Sequence, residues 1–118
     1  YLGNLNIKRD WGWAPEYIEA IWLMLQQPNP NDFIIATGIQ TSLEEIVKKV
    51  FNHLDIDYKE HIELKESLKR PSDSSHTKFL PQKAKKLLGW KSTSEIESII
   101  SLLVSHELKK NKNNKSIV

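Results

Sequence analysis

The sequence predicts an α/β fold, and three observations carry the prediction. Short segments that read as strands alternate with longer segments of helical period. One apolar run, Phe33-Ile34-Ile35-Ala36, is continuous, which is the pattern of a strand covered on both faces. The spacers between strand segments have crossover length rather than hairpin length. The order is strand, helix, strand, helix, strand, short helix, helix, which fits a small α/β domain or the second half of a larger one.

Each element has a local reason. Leu2 to Ile7 reads as a short strand weakened by Gly3, followed by a charged and aromatic segment, Lys8 to Trp13, with a turn at Gly12. Pro15 suits a first helical turn, where its missing N–H costs nothing. The helix then runs from about Pro15 to Gln27 with Tyr17, Ile18, Ile21, Trp22 and Leu25 as its apolar set. Ala20, Leu23 and Met24 widen that stripe, so burial on most sides is expected. Pro28 and Pro30 stop it. After the Phe33–Ala36 run, Ser42-Leu43-Glu44-Glu45 matches the S-x-x-E capping box and opens an amphipathic helix through Leu54.

His61 to Lys65 alternates and reads as a strand, and Leu68 to Leu80 has no period and reads as a loop. Pro81 opens a short helix through Leu88, with Ala84, Leu87 and Leu88 as its apolar face and Gly89 at the left-handed closing position. Ser92-Thr93-Ser94-Glu95 is a second S-x-x-E box, and Ile96, Ile99, Ile100, Leu103 and Val104 carry a helix to about Leu108. Two regions result: an ordered body, residues 1–108, and a frayed Lys/Asn-rich tail, residues 109–118.

Composition excludes several functions. The chain has 118 residues, no Cys, and 17 Lys and Arg against 15 Asp and Glu. The absence of Cys removes disulfide scaffolds, thiolate zinc sites and Cys nucleophiles. Four of the Lys lie in residues 109–118, which leaves 13 basic against 15 acidic residues in the body. A mildly acidic body argues against nucleic-acid binding, whose mark would be steep salt dependence. No apolar run reaches the roughly 18 residues of a membrane span. The first residue is Tyr1 rather than Met, so a fragment or processed chain is expected.

Gly3, Gly12, Gly38 and Gly89 form no G-x-G-x-x-G or P-loop pattern. His53, His61, His76 and His106 lack the i, i+4 spacing of a helical zinc site, and no metal site is expected. Tyr1, Tyr17 and Tyr58 have no Lys four residues later, so no Tyr-x-x-x-Lys pair exists. Only two of the 17 basic residues are Arg, and both fall in irregular segments: Arg9 in Lys8-Arg9-Asp10-Trp11, and Arg70 in Arg70-Pro71-Ser72-Asp73. Planar guanidinium groups at such points can clamp a phosphate. On composition alone the plainer readings lead: an Arg9–Asp10 surface pair with Trp11 and Trp13 packed in the core, and a plain solvated loop at Arg70.

The stretch from Leu2 to Ala20, Leu-Gly-Asn-Leu-Asn-Ile-Lys-Arg-Asp-Trp-Gly-Trp-Ala-Pro-Glu-Tyr-Ile-Glu-Ala, closely resembles a signature of the GDP-mannose 4,6-dehydratase family. The likeness continues through Trp22–Gln27 and Ile35–Gly38, and returns at Arg70-Pro71, Lys83–Lys85 and Leu88-Gly89-Trp90. The resemblance implies the C-terminal, substrate-binding portion of an extended short-chain dehydrogenase/reductase, with the Rossmann half not in this chain. It implies a lyase converting GDP-D-mannose to GDP-4-dehydro-6-deoxy-D-mannose and water. In the family, hydride leaves sugar C4 for NADP, water is eliminated across C5–C6, and hydride returns to C6. The N-terminal Rossmann half holds NADP and supplies the catalytic groups, so no catalytic residue is expected here.

Carried over residue by residue, the resemblance implies that Arg9 and Arg70 contact the nucleotide diphosphate or ribose. Asp73 stands where the family has Glu near the ribose, one methylene shorter. Asn4 and Lys8 match family positions near the same site. Ser75 replaces a family Asp, and Leu80 stands where the family has an Asp helix cap. The partners implied are GDP-mannose, the Rossmann half, and further copies in a dimer or tetramer, in the cytoplasm. Two alternatives stay open: a non-catalytic, truncated or split nucleotide-sugar-binding module, and a relative acting on another nucleotide sugar.

Overall fold

The computed structural model describes residues 1–70 and 78–115. Asp73 and Ser75, singled out above, lie outside the described residues. The elements in chain order are β1 (Lys8–Asp10), α1 (Ala14–Leu25), β2 (Gln40–Ser42), α2 (Leu43–Asn52), α3 (Gln82–Leu88) and α4 (Ile96–Lys115), with single 3-10 turns at Tyr58–Glu60 and Glu66–Leu68. Helices and a small sheet confirm the mixed α/β class, but the sheet differs from the expectation of parallel strands. β1 and β2 pair antiparallel, with Lys8 opposite Ser42, Arg9 opposite Thr41 and Asp10 opposite Gln40.

The sequence reading places strands at Leu2–Ile7, Phe33–Ala36 and His61–Lys65. Among the described residues all three are extended or turn-like chain. From the first and third, Leu2 and Leu64 form one parallel bridge, made by Leu2 N–H on the Glu63 carbonyl (3.0 Å) and Lys65 N–H on the Leu2 carbonyl (2.8 Å). Leu5-Asn6 turns instead of extending, because the Asn4 side-chain oxygen accepts the Asn6 N–H at 2.9 Å, a local Asx bond that competes with a ladder. Phe33–Ala36 has no strand partner among the described residues; Phe33 and Ile35 pack on the core, Ala36 is buried and Ile34 is half exposed.

The helices follow their sequence signals closely. Ser42 caps α2 as the box predicts, its hydroxyl accepting the Glu45 N–H (3.2 Å) and the Glu45 carboxylate accepting the Ser42 N–H (2.8 Å). The next two α2 amides, of Leu43 and Glu44, are satisfied by the carbonyls of Ile7 (2.9 Å) and Leu5 (3.0 Å). α3 starts without a side-chain cap, in line with Leu80 in place of an acidic residue, and ends on Gly89 at φ +68°. α4 departs twice. It starts at Ile96, after the Ser92–Glu95 box, and it continues through Lys115, past the expected end near Leu108.

The main core joins α1, α3 and the Phe33–Ala36 segment: Ala20, Ala84, Leu88 and Trp90 are buried, with Tyr17, Leu23, Met24, Phe33 and Ile35 packed around them. The Tyr17 and Trp90 rings meet edge to face, centroids 5.9 Å apart. A second contact joins α2 to α4, with Val47 buried on α2, Ile99 and Ile100 buried on α4, and Lys49 paired to Glu97. α1 corrects the sequence reading: Ala20 is its one buried residue, and Ile18, Trp22 and Leu25 are 64%, 59% and 76% exposed. Only one side of α1 has described elements to pack on. The radius of gyration, 17.8 Å, exceeds the roughly 13–14 Å of a closed domain this long.

Replacing the cap should be felt locally. Ser42→Ala is expected to cost about 1 kcal/mol, read as a lowered midpoint in chemical denaturation, and an unchanged midpoint would show the cap to be idle.

Candidate functional site

Asp10, at the end of β1, is the anchor of the N-terminal region. Its Oδ1 accepts the Thr37 N–H (2.9 Å), the Thr37 hydroxyl (2.9 Å) and the Tyr17 hydroxyl (3.4 Å), and its Oδ2 accepts the Gly38 N–H (2.8 Å). One carboxylate thereby ties β1, α1 and the chain entering β2. Gly38 sits at φ +82°, a conformation that suits glycine and turns its N–H onto Asp10. The Tyr17 ring lies across Gly12, where a Cβ would meet the hydroxyl oxygen at 2.1 Å. Burial and the adjacent Asp10 push the Tyr17 hydroxyl pKa up, so it stays a proton donor. Trp11 adds a bond from its indole N–H to the Thr41 carbonyl at 3.0 Å.

Glu16 is the second anchor. Its Oε1 accepts Thr93 N–H (3.0 Å) and Oγ1 (2.7 Å), and Ser94 N–H (2.9 Å) and Oγ (2.9 Å). Its Oε2 accepts the Ser92 hydroxyl (2.7 Å), and its backbone carbonyl accepts the Trp90 indole N–H (2.9 Å). The second S-x-x-E box therefore clamps α1 instead of capping α4. Burial works to raise the Glu16 pKa, but the bonds from Thr93, Ser92 and Ser94 outweigh it and lower the group from 4.5 to about 2.

The predicted ligand-binding residues on β1 are divided between its two faces. Arg9 and Asp10 alternate along β1, so Arg9 projects away from the Asp10 network. The Arg9 guanidinium donates to the Lys8 carbonyl at 2.9 Å. Lys8 is exposed, and its charge lowers the pKa of Glu45 at the start of α2, behind the larger effect of Ser42. Lys8 and Arg9 thus point to opposite faces. The structure does bring Asn4 and Arg70 into one region. Gly3 packs directly on the backbone of Leu68 and Lys69, and Arg70, exposed, follows.

Two open clefts lie elsewhere. One of about 770 Å³ is lined by Glu44, Lys48, Asn52 and residues 55–59. One of about 430 Å³ lies between Trp11, Thr37, Ile39, Thr41 and residues 92–97. Among the described residues no group of three or more His, Asp or Glu could hold a metal ion, and no helix is long and apolar enough to cross a membrane. The reading of the sequence missed Asp10 and Glu16 as anchors. Apart from Tyr17, seven positions from Asp10, their partners stand 27–28 and 74–78 positions away, beyond any local pattern.

This arrangement matches solved structures. The chain is similar to UDP-glucose 4-epimerase of Thermotoga maritima, crystallised with UDP-glucose, at TM-score 0.78 and 23% identity over 93% of this chain and 34% of that one. It is also similar to RMD of Pseudomonas aeruginosa, crystallised with NADPH, at TM-score 0.74 and 13% identity over 88% of this chain and 34% of that one. The chain shares the fold of about a third of each of these structures. A family model for GDP-mannose 4,6 dehydratase matches residues 1–103. GDP-mannose 4,6 dehydratase 2 of Arabidopsis thaliana is 36% identical over 100% of this chain and 32% of its own length. The Dictyostelium discoideum enzyme is 38% identical over 96% of this chain and 36% of its own length. The human enzyme is 58% identical over 53 residues, 45% of this chain and 14% of its own. The chain belongs to the GDP-mannose 4,6-dehydratase family, and it spans about a third of the length of the Arabidopsis and Dictyostelium relatives.

Glu16 gives a pH signature. Its folded pKa is depressed, so its stabilisation is complete above 4.5 and is lost as pH falls toward 2. Glu16→Gln is expected to lower the unfolding midpoint at pH 7 and to flatten the acid limb of a stability–pH curve. An acid limb identical to that of the parent protein would contradict the clamp.

Proposed function

We propose that this chain forms the nucleotide-sugar-binding part of a GDP-mannose 4,6-dehydratase, a lyase turning GDP-D-mannose into GDP-4-dehydro-6-deoxy-D-mannose and water. Residues 1–108 carry the binding segment. Arg9 holds the diphosphate or ribose, Arg70 the diphosphate, Asp73 accepts from the ribose, and Asn4 borders the site; Lys8, expected there from the resemblance, points to the opposite face of β1 from Arg9. The observation that carries the reading is the fixed backbone at both arginines. Arg9 sits on a strand paired to β2, and Arg70 follows a turn pressed on Gly3. A guanidinium fork on a held backbone loses little entropy when it engages a diphosphate.

Among the described residues no glycine is free to form a dinucleotide cradle. Gly3 is packed on Leu68, Gly12 lies under Tyr17, Gly38 is tied to Asp10 and Gly89 closes α3. The proposal accordingly assigns NADP and the catalytic groups to an N-terminal Rossmann half. The apolar outer face of α1, with Ile18, Ile21, Trp22 and Leu25, supports a partner of that kind. A cytoplasmic dimer or tetramer completes the proposal.

Arg9→Ala and Arg70→Ala in the intact enzyme test it. Each removes charge-assisted hydrogen bonds worth about 1.5–3 kcal/mol, so GDP-mannose should bind roughly 10- to 100-fold more weakly in each variant. Unchanged dissociation constants in both, measured by calorimetry, would sink the assignment.

A further inference from the structure

We infer that Gly3 positions Arg70: the missing side chain at residue 3 lets the Leu68–Lys69 backbone approach closely enough to set where Arg70 begins. The inference rests on the assignment of Arg70 to the nucleotide sugar. A Cβ built on Gly3 would lie 2.4 Å from the Leu68 carbonyl oxygen, 2.6 Å from its carbonyl carbon and 2.9 Å from the Lys69 nitrogen. All three atoms are backbone, so no side-chain rotation relieves the contact. The glycine is required by proximity and not by a left-handed φ, since Gly38 and Gly89 are the glycines with positive φ among the described residues.

The surrounding bonds turn this contact into a lever. The Leu2 N–H and carbonyl are joined to Glu63 and Lys65, which fixes the two chains just before the contact. The Leu68 and Lys69 N–H groups close the turn on the carbonyls of Lys65 (3.1 Å) and Glu66 (3.0 Å). The turn is therefore a short rigid unit, held at one end by Leu2 and pressed on Gly3 at the other. A methyl group at residue 3 must push that unit away by about an ångström. Arg70 is the next residue and moves with it. Misplacing a binding group by about 1 Å can cost as much as 100-fold.

A double-mutant cycle in the intact enzyme separates the possibilities, with Gly3→Ala, Arg70→Ala and the pair assayed for the KM and kcat of GDP-mannose turnover. We expect Gly3→Ala to raise KM about 10-fold or more while changing kcat less, and to add little once Arg70 is already Ala. Equal, additive KM effects in the two backgrounds overturn the positioning role, as does a Gly3→Ala enzyme with parental KM. An unaltered KM for Arg70→Ala alone refutes the assignment of Arg70 itself, which is a distinct result. If Gly3→Ala yields no folded enzyme, a glycine inserted between Lys69 and Arg70 displaces Arg70 and leaves the Gly3 contact intact. It should raise KM in the same way, and an unchanged KM there overturns the proposal.

Discussion

The carboxylate of Asp10 is the interaction on which the other parts depend. β1 is three residues long and pairs with a strand equally short, too little ladder to hold itself in place. Four hydrogen bonds from Thr37, Gly38 and Tyr17 fix its end. A charged acceptor makes each stronger than a neutral one would be. Because Asp10 is adjacent to Arg9, fixing one carboxylate also fixes the origin of the guanidinium on the opposite face. Tyr17 extends the constraint into α1, and Glu16, its neighbour, carries it to residues 92–94 and Trp90. Two consecutive α1 residues thus hold separate parts of the chain to one helix.

How much of this could be read beforehand depended on distance along the chain. The α2 cap needs residues three apart, and Ser42 and Glu45 show it plainly. Gly89 closes α3 through its own φ, and Pro15 marks the first turn of α1. Strands of three residues carry no usable period, which is why β1 and β2 were illegible while longer apolar runs were read as strands. The Ser92–Glu95 box failed for a specific reason. Its hydroxyls and amides found a partly exposed carboxylate on α1, a charged acceptor that binds more strongly than a neutral one. Of the proposed site, Arg9, Arg70, Asn4 and Lys8 were proposed from residue type and resemblance alone. The contact that brings Asn4 beside the Arg70 turn depends on a glycine whose importance appears only when the two backbones meet.

The expected burial of α1 and the expected strand at Phe33–Ala36 are two sides of one physical fact. Apolar residues on both sides of a segment mean two packing layers. The described residues supply one of them, through Ala84, Leu88 and Trp90. On the other side Ala36 is buried but Ile34 is 50% exposed, in line with Trp22 and Leu25 on α1. The periodicity was a correct statement about what these residues need, and the part of the fold described here meets half of it. A relative-length chain, about three times longer, has the material for the second layer.

The division of labour between the basic residues follows from the same constraint. Of the 17, only Arg9 and Arg70 are Arg. A lysine ammonium binds as a point charge and tolerates a mobile stem, and the lysines of this chain sit mainly on exposed helix faces and in α4. A guanidinium gains its advantage only when its plane can be aimed, and aiming requires a fixed backbone. Arg9 has that through β1 and Asp10, and Arg70 has it through the Leu2 bridge and Gly3. Asp10, Leu2 and Gly3 therefore set where the two arginines begin, without any of the three having to touch what the guanidinium groups would bind.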